Sequence, residues 1–172
     1  MRIDLILEPS ESPERIAELS KLAEDNGLAG VWVSNTLNGR DPFLGFMAAA
    51  QATDRIHMGP IAVSPYELHP LKMATSLLSL NEASNGRARI VVGGGGVIAT
   101  RAMNLRPERR VRGVRECIEI IKQAATGLEM QYEGELFTAK GCKAAWVTKA
   151  PPVIYAAANK PQMLRMAARC AD

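Results

Sequence analysis

Gly86-Arg87-Ala88-Arg89-Ile90-Val91-Val92-Gly93-Gly94-Gly95-Gly96 is the stretch on which the reading of this chain turns. Ile90, Val91 and Val92 form a short apolar run of β-branched residues, the composition of a strand buried on both faces. Four consecutive glycines then stop it. Glycine admits positive φ and lets another molecule come close to the backbone. A buried parallel strand ending in such a turn suits an anionic cofactor; a plain flexible turn is the alternative. The run is not a Walker A loop, because no Gly-Lys-Ser/Thr follows. It is a poor dinucleotide fingerprint too, since Ile98 stands where the third glycine belongs.

Outward from this stretch, strands alternate with helices. Ile3–Leu7, Gly30–Ser34, Ile56–Val63 and Val153–Ala156 read as further strands. Ser12 is a good N-cap, and Ile16, Leu19, Leu22 and Ala23 follow at helical spacing up to Gly27. Asp41 and Pro42 open a second helix with Phe43, Phe46, Met47 and Ala50 on its stripe. Pro70 opens a third, capped at Asn85-Gly86. Ala99–Arg106 is a short helix or an irregular loop. Pro107 opens a longer helix carrying Val111, Val114, Ile118, Ile121 and Ala125 on one face. Its other face carries Arg109, Arg110, Arg112 and Arg115. That face is solvated surface or, less in keeping with an intact apolar stripe, a contact for a polyanionic cofactor tail or a partner. Gln131–Ala139 forms a small hairpin outside the pattern. Pro161–Ala171 is the last helix. Gly59-Pro60 interrupts the third strand and predicts a bulge there.

Strand starts recur at intervals of about thirty residues, the length of one β-α unit. Such alternation means a parallel sheet covered by helices. An open doubly wound sheet and a (β/α)8 barrel both fit. Both place a ligand at the carboxyl ends of the strands. Here those ends are Leu7–Pro9, Ser34–Thr36, Ile61–Ser64, Gly93–Gly96 and Ala156–Asn159. Their small residues leave room for a flat ligand.

The 172 residues suit a single domain spanning 1–172. A formal charge of +3 is too small to argue for nucleic acid. No apolar run approaches a membrane span. Met1-Arg2-Ile3-Asp4-Leu5 already looks like a strand and lacks a signal-peptide pattern, so a cytoplasmic location is expected. Cys117, Cys142 and Cys170 show no metal spacing, and with only His57 and His69 as histidines no metal site is expected. Cys117 reads as a small core residue.

Several segments resemble one family. They are Gly59-Pro60-Ile61-Ala62-Val63-Ser64-Pro65-Tyr66, then His69-Pro70, then Leu80-Asn81-Glu82-Ala83-Ser84-Asn85-Gly86-Arg87. Leu22–Gly27, Val31-Trp32-Val33 and Pro152–Leu164 join them. In order along nearly the whole chain, they are similar to the luciferase-like monooxygenase superfamily. The likeness is greatest to its branch using the deazaflavin coenzyme F420, especially the methylenetetrahydromethanopterin reductases.

The resemblance implies a (β/α)8 TIM barrel with F420, or alternatively FMN, in its mouth. It implies an oxidoreductase moving a hydride to or from a small organic substrate. It also implies a bulge with a non-prolyl cis peptide within Pro60–Ala62, at Ile61–Ala62, behind the ring; a plain proline bulge is the alternative. Cofactor-binding residues on this basis are Asn35, Thr36, Ile61, Ala62, Gly93, Gly94, Gly95, Gly96, Ala157, Ala158 and Asn159. The amides of Ala157, Ala158 and Asn159 would hold the cofactor phosphate, unless that turn is an ordinary helix cap.

Two positions depart from the branch. Asn35-Thr36 stands where Asp-His is common, and Gly96 stands where the reductases carry an acid. No catalytic residue is therefore assigned. About five of the eight β-α units are present, so the chain is expected to be the N-terminal portion of a barrel, either truncated or fragmentary or completed by another chain or by homo-oligomerisation. A non-catalytic family member that binds cofactor or serves assembly is the competing reading. An unrelated phosphate-binding α/β enzyme is a third.

Overall fold

A computed structural model describes residues 2–172. Met1, counted above in the opening strand-like stretch, lies outside the described residues. In chain order the elements are β1 (Asp4–Leu7), α1 (Pro13–Asp25), β2 (Gly30–Ser34), α2 (Pro42–Gly45), α3 (Met47–Ala52) and β3 (His57–Val63). They continue with α4 (Pro70–Ala83), β4 (Arg89–Val92), α5 (Val97–Ala102), α6 (Arg110–Ala124), β5 (Glu129–Glu133), β6 (Thr138–Lys143), β7 (Val153–Ala156) and α7 (Pro161–Cys170).

Local chemistry accounts for the helix starts. Ser12 Oγ accepts the Arg15 N–H at 3.2 Å, and Asp41 Oδ1 accepts the Leu44 N–H at 3.0 Å. Three sequence expectations shift. The helix opened by Asp41-Pro42 is two pieces, parted at Phe46, whose ψ is −7°. Gly45 is a weak helix former, and the fully buried Phe46 ring takes its place in the core at that break. Pro107 does not open the long helix. The Tyr66 hydroxyl donates to the Glu108 carbonyl, Arg109 is left-handed at φ 47°, and α6 starts after it. Gly59-Pro60 does not interrupt β3 either. The ladder to β2 runs through both residues, and the shift falls between Ile61 and Val63. Gly59 has a separate reason to be glycine: a Cβ there would stand 1.7 Å from the Arg89 carbonyl oxygen.

Five strands make one parallel sheet in the order β1-β2-β3-β4-β7, and β5 and β6 pair antiparallel outside it. Each new strand is added beside the previous one. The reversal of strand order that defines a doubly wound sheet is missing, so that alternative drops out. The sheet also curls. Trp32 on β2 and Tyr155 on β7 meet edge to face with ring centroids 5.9 Å apart, although two strands lie between theirs. On a flat sheet those strands would be about 14 Å apart. The Trp32 indole N–H donates to Asp4 Oδ2 at 3.0 Å, and Arg89 donates to the Tyr155 hydroxyl at 2.7 Å, on the same inner face. The alternate residues Val31, Val33, Ile90, Val92 and Ile154 are buried against the helices on the outer face. Cys117 is buried there as well, as its place on the helix stripe predicts. This is an α/β fold with a singly wound, curled parallel sheet of the TIM-barrel kind.

The segment entering β3 is held from two sides. The Glu24 carboxylate, 3 % exposed, accepts the backbone N–H groups of Asp54, Arg55 and Ile56. The buried Arg87 guanidinium donates to the carbonyls of Ala50, Thr53, Ile56 and Ser84 and to the Thr53 hydroxyl. Carbonyls at the end of α3 that a helix leaves unpaired are thereby satisfied. Burial opposes the charge on Glu24, but the amides of Arg55, Ile56 and Asp54 and the Arg55 charge outweigh it, and its pKa lies below the ordinary 4.5. A depressed carboxylate contributes its full stability above that ordinary value and loses it as pH falls through the folded one. Glu24→Gln is expected to lower unfolding stability at pH 7 by on the order of 2 kcal/mol. Urea denaturation should also show a shallower loss of stability below pH 4.5 in that variant than in the parent.

Candidate functional site

The carboxyl ends of β2, β3, β4 and β7 open on a cleft of about 540 Å³. Asn35 and Thr36 line it from β2, Ala62, Ser64 and Glu67 from β3, Gly93–Gly96 from β4, and Ala157 from β7. Leu7–Pro9, after β1, does not line it. A second hollow of about 650 Å³ shares Gly94, Gly95 and Ala157 with the cleft and runs on to Ala158, Asn159 and Lys160. Ten of the eleven sequence-assigned positions thus line one continuous depression. Ile61 lines neither part; it sits behind, its carbonyl accepting the Asn35 N–H at 3.0 Å. The Ile61–Ala62 peptide is cis, at the position the resemblance assigns.

The depression exists because two backbones approach closely. The Gly93 N–H donates to the Val63 carbonyl at 2.9 Å. A Cβ on Gly93 would stand 3.2 Å from the Ala62 Cβ, and Gly95, at φ 84°, would place one 3.0 Å from Ser64 Oγ. Side chains at these positions would fill the space. The Arg110 guanidinium fixes the turn by donating to the Gly95 carbonyl at 2.8 Å. Arg110 therefore reaches the glycines rather than standing wholly on a solvated helix face.

Around the turn after β7, Ala157 gives its N–H to the Val92 carbonyl at 2.8 Å, so this amide is not free for a phosphate. The amides of Ala158 and Asn159 have no hydrogen-bond partner among the described residues, and Lys160 makes no side-chain cap to α7. These two donors, beside a helix start and Lys160, suit an anion.

Glu67 is the residue the sequence reading missed. It lies one position past the Ser64-Pro65-Tyr66 turn, with its N–H on the Ser64 carbonyl at 3.1 Å. The Asn35 side-chain amide donates to its Oε2 at 3.4 Å. Burial raises its pKa above 4.5. The available signal was an acid inside a strand-end turn. No cluster of three or more His, Cys, Asp or Glu side chains that could hold a metal occurs among the described residues. No described helix is long and apolar enough to cross a membrane.

A curled, singly wound parallel sheet with a cleft at its strand ends, floored by small residues and flanked by free amides, is the architecture of a barrel-type protein whose ligand site lies at the carboxyl ends of its strands. The family model for luciferase-like monooxygenases matches residues 2–172, and the chain belongs to that family. It is 33% identical over 152 residues to a 5,10-methylenetetrahydromethanopterin reductase of Archaeoglobus fulgidus, covering 88% of this chain and 46% of the relative. It is 32% identical over 164 residues to that of Methanolobus tindarius, covering 95% and 50%. Among solved structures, the coenzyme F420-dependent tetrahydromethanopterin reductase of Methanopyrus kandleri superposes with a TM-score of 0.87 at 27% identity, covering 99% of this chain and 54% of that one. The chain spans about half the length of the curated relatives it matches.

The raised Glu67 pKa has a sign that can be tested. A carboxyl that holds its proton more tightly when folded makes stability fall as pH rises above 4.5. Glu67→Gln is therefore expected to unfold at higher urea than the parent at pH 7, with the difference gone at pH 4. Equal midpoints at both pH values would place that carboxyl in water.

Proposed function

We propose that this chain carries the cofactor cleft of an oxidoreductase that passes a hydride between a deazaflavin of the F420 type, with FMN as the alternative, and a small organic substrate. The observation behind this reading is the cleft where Ala62 faces the glycine turn. Its walls of alanine and glycine leave a planar space at the strand ends. A bound deazaflavin or flavin would supply the two-electron chemistry. The protein's part is then largely positioning.

In this reading Ala62, Gly93 and Gly94 make the wall against which a ring lies. Asn35 offers an amide to its polar edge. Ala158, Asn159 and Lys160 hold a phosphate. The exposed Leu37 and Ile98 side chains stand at the cleft and narrow the access of water. Glu67 offers the cleft a carboxyl able to hold or give up a proton, in place of the acid that Gly96 lacks. The likeness to the reductases of Archaeoglobus fulgidus and Methanopyrus kandleri favours F420 over FMN.

A second reading, a member that holds cofactor without turning it over, is favoured by Thr36 and Gly96 at the two departures. Absorbance titration separates the readings. Saturable binding of F420 or FMN, with reduction of the ring by an added substrate, supports the first; binding without turnover supports the second. Retention of neither at high micromolar concentration removes both. Gly93→Val should weaken binding at least about tenfold, because its methyls would occupy the space beside Ala62. Its thermal midpoint, compared with the parent's, reports whether the fold survives.

The same reading has the edges of β1 and β7 paired with further strands, in a second copy or in another chain. Ile3 and Ile6 are more than half exposed beside the β1 edge. Sedimentation should then give a mass above 18.6 kDa; a stable monomer at that mass would count against it.

A further inference from the structure

Glu67 is the one carboxylate that lines the cleft. Its two oxygens face different walls. Oε2 accepts the Asn35 side-chain amide, from the β2 end, at a long 3.4 Å. Oε1 faces the glycine turn after β4, 3.7 Å from where a Cβ on Gly95 would stand. A carboxylate has about four places at which to accept a hydrogen bond. Asn35 is the single donor that Glu67 finds among the described residues.

The anchoring carboxylates of this chain are treated otherwise. Glu24 accepts the amides of Asp54, Arg55 and Ile56, and Glu82 those of Thr148 and Lys149 together with the Thr148 hydroxyl. Such donors hold both below the ordinary 4.5. Glu67 receives no backbone amide, and burial pushes it the other way.

No cation lines the cleft to offset its charge. The residues that the β2 end, the glycine turn, α5 and β7 bring to the lining are all neutral. Tyr66, in the same turn, has its phenol kept neutral by burial and its hydroxyl on the Glu108 carbonyl. His69 accepts the Leu71 N–H with Nδ1 and packs on Phe137. Arg101 on α5 is exposed and outside the lining. Arg110 on α6 spends its guanidinium on the Gly95 carbonyl and packs against Gly94, facing the neighbouring hollow. The other arginines of α6, Arg109, Arg112 and Arg115, gather with Arg165 and Arg169 in the groove between α6 and α7.

A flat ligand entering the cleft would strip water from this carboxyl, and an anionic one would add charge of the same sign. Both effects oppose ionisation. We infer that ligand binding in the cleft is coupled to protonation of Glu67: the ring is held with that carboxyl neutral, Asn35 donating to Oε2 and the carboxyl O–H donating to an acceptor on the ring edge. The proton comes from solvent, and no electron moves in the step. This rests on the proposed cofactor reading and extends it to the pH at which the site fills. The sign follows from linkage. Affinity is highest where Glu67 is already protonated, and it falls as pH rises through the pKa of the empty site.

Fluorescence titrations of FMN and of F420 between about pH 5 and about pH 8.5, on the parent and on Glu67→Gln, test it. The carboxamide keeps the shape and the Asn35 contact but carries no charge. Relative to the variant, the parent should lose affinity at least about tenfold across that range, and the ratio cancels any titration of the ligand itself. Calorimetry in two buffers of different ionisation enthalpy should show more proton uptake on binding by the parent than by the variant. Glu67→Ala, equally uncharged, stands in if the first variant does not fold. Parallel pH curves for parent and variant, with a ring bound, would overturn the coupling and leave the cofactor reading standing. A variant that binds more weakly than the parent at the alkaline end would overturn it too, because the ionised carboxylate would then be the form the ligand prefers. A ring held by the variant but not by the parent at that end would uphold it. Binding of neither ring by either protein at any pH would remove the cofactor reading and this inference together.

Discussion

Thr53–Ile56, the connection into β3, is held by a carboxylate that takes its N–H groups and a guanidinium that takes its carbonyls, and the rest of the site depends on that grip. β3 begins at His57, paired with Gly30. A slip of one residue would move every later position by about 3.3 Å and turn each side chain to the opposite face. Ala62 would then no longer meet Gly93. The cleft is therefore set from the far end of a strand, by Glu24 and Arg87, neither of which lines it. Both are buried, and each has its polar atoms matched by backbone groups, the condition under which a buried charge is tolerable.

The same device recurs. Glu116, 1 % exposed on α6, accepts the N–H groups of Glu135, Leu136 and Phe137 in the hairpin turn. Glu82 on α4 accepts those of Thr148 and Lys149. Three helices thus each present one carboxylate to a loop that would otherwise leave its amides unpaired. The turns at the cleft are held differently, by backbone contacts such as Gly93 to Val63 and by Arg110 on the Gly95 carbonyl. Carboxylate anchors are kept away from the planar space. Glu67 alone brings an acid into it, and burial without a neighbouring cation is why that acid resists ionisation.

Periodicity made the alternation of strands and helices legible, because burying one face imposes a repeat on the residues themselves. It placed β2 and β7 at their observed bounds and found the hairpin outside the sheet. It could not separate a singly from a doubly wound sheet, since strand order is a property of pairing and leaves no trace in spacing. The break at Phe46 and the late start of α6 at Arg110 were hidden for a related reason: both follow from tertiary partners, a core pocket for one ring and a hydroxyl from Tyr66. The small residues of the cleft announced themselves as glycine and alanine at strand ends. Glu67 did not, because an acid in a turn looks the same whether its carboxyl faces water or a cleft. The commitment of the Ala157 amide to Val92 was equally invisible.

Net charge and local field are different quantities in this chain. A value of +3 describes an average, and an anionic ligand responds to a local field. Arg109 to Arg115 read as a solvated face because a sound apolar stripe ran opposite them. What that stripe could not reveal is that α7 brings Arg165 and Arg169 up to the same groove. In the proposed reading the planar space carries little charge of its own, so it would discriminate poorly between rings of similar shape.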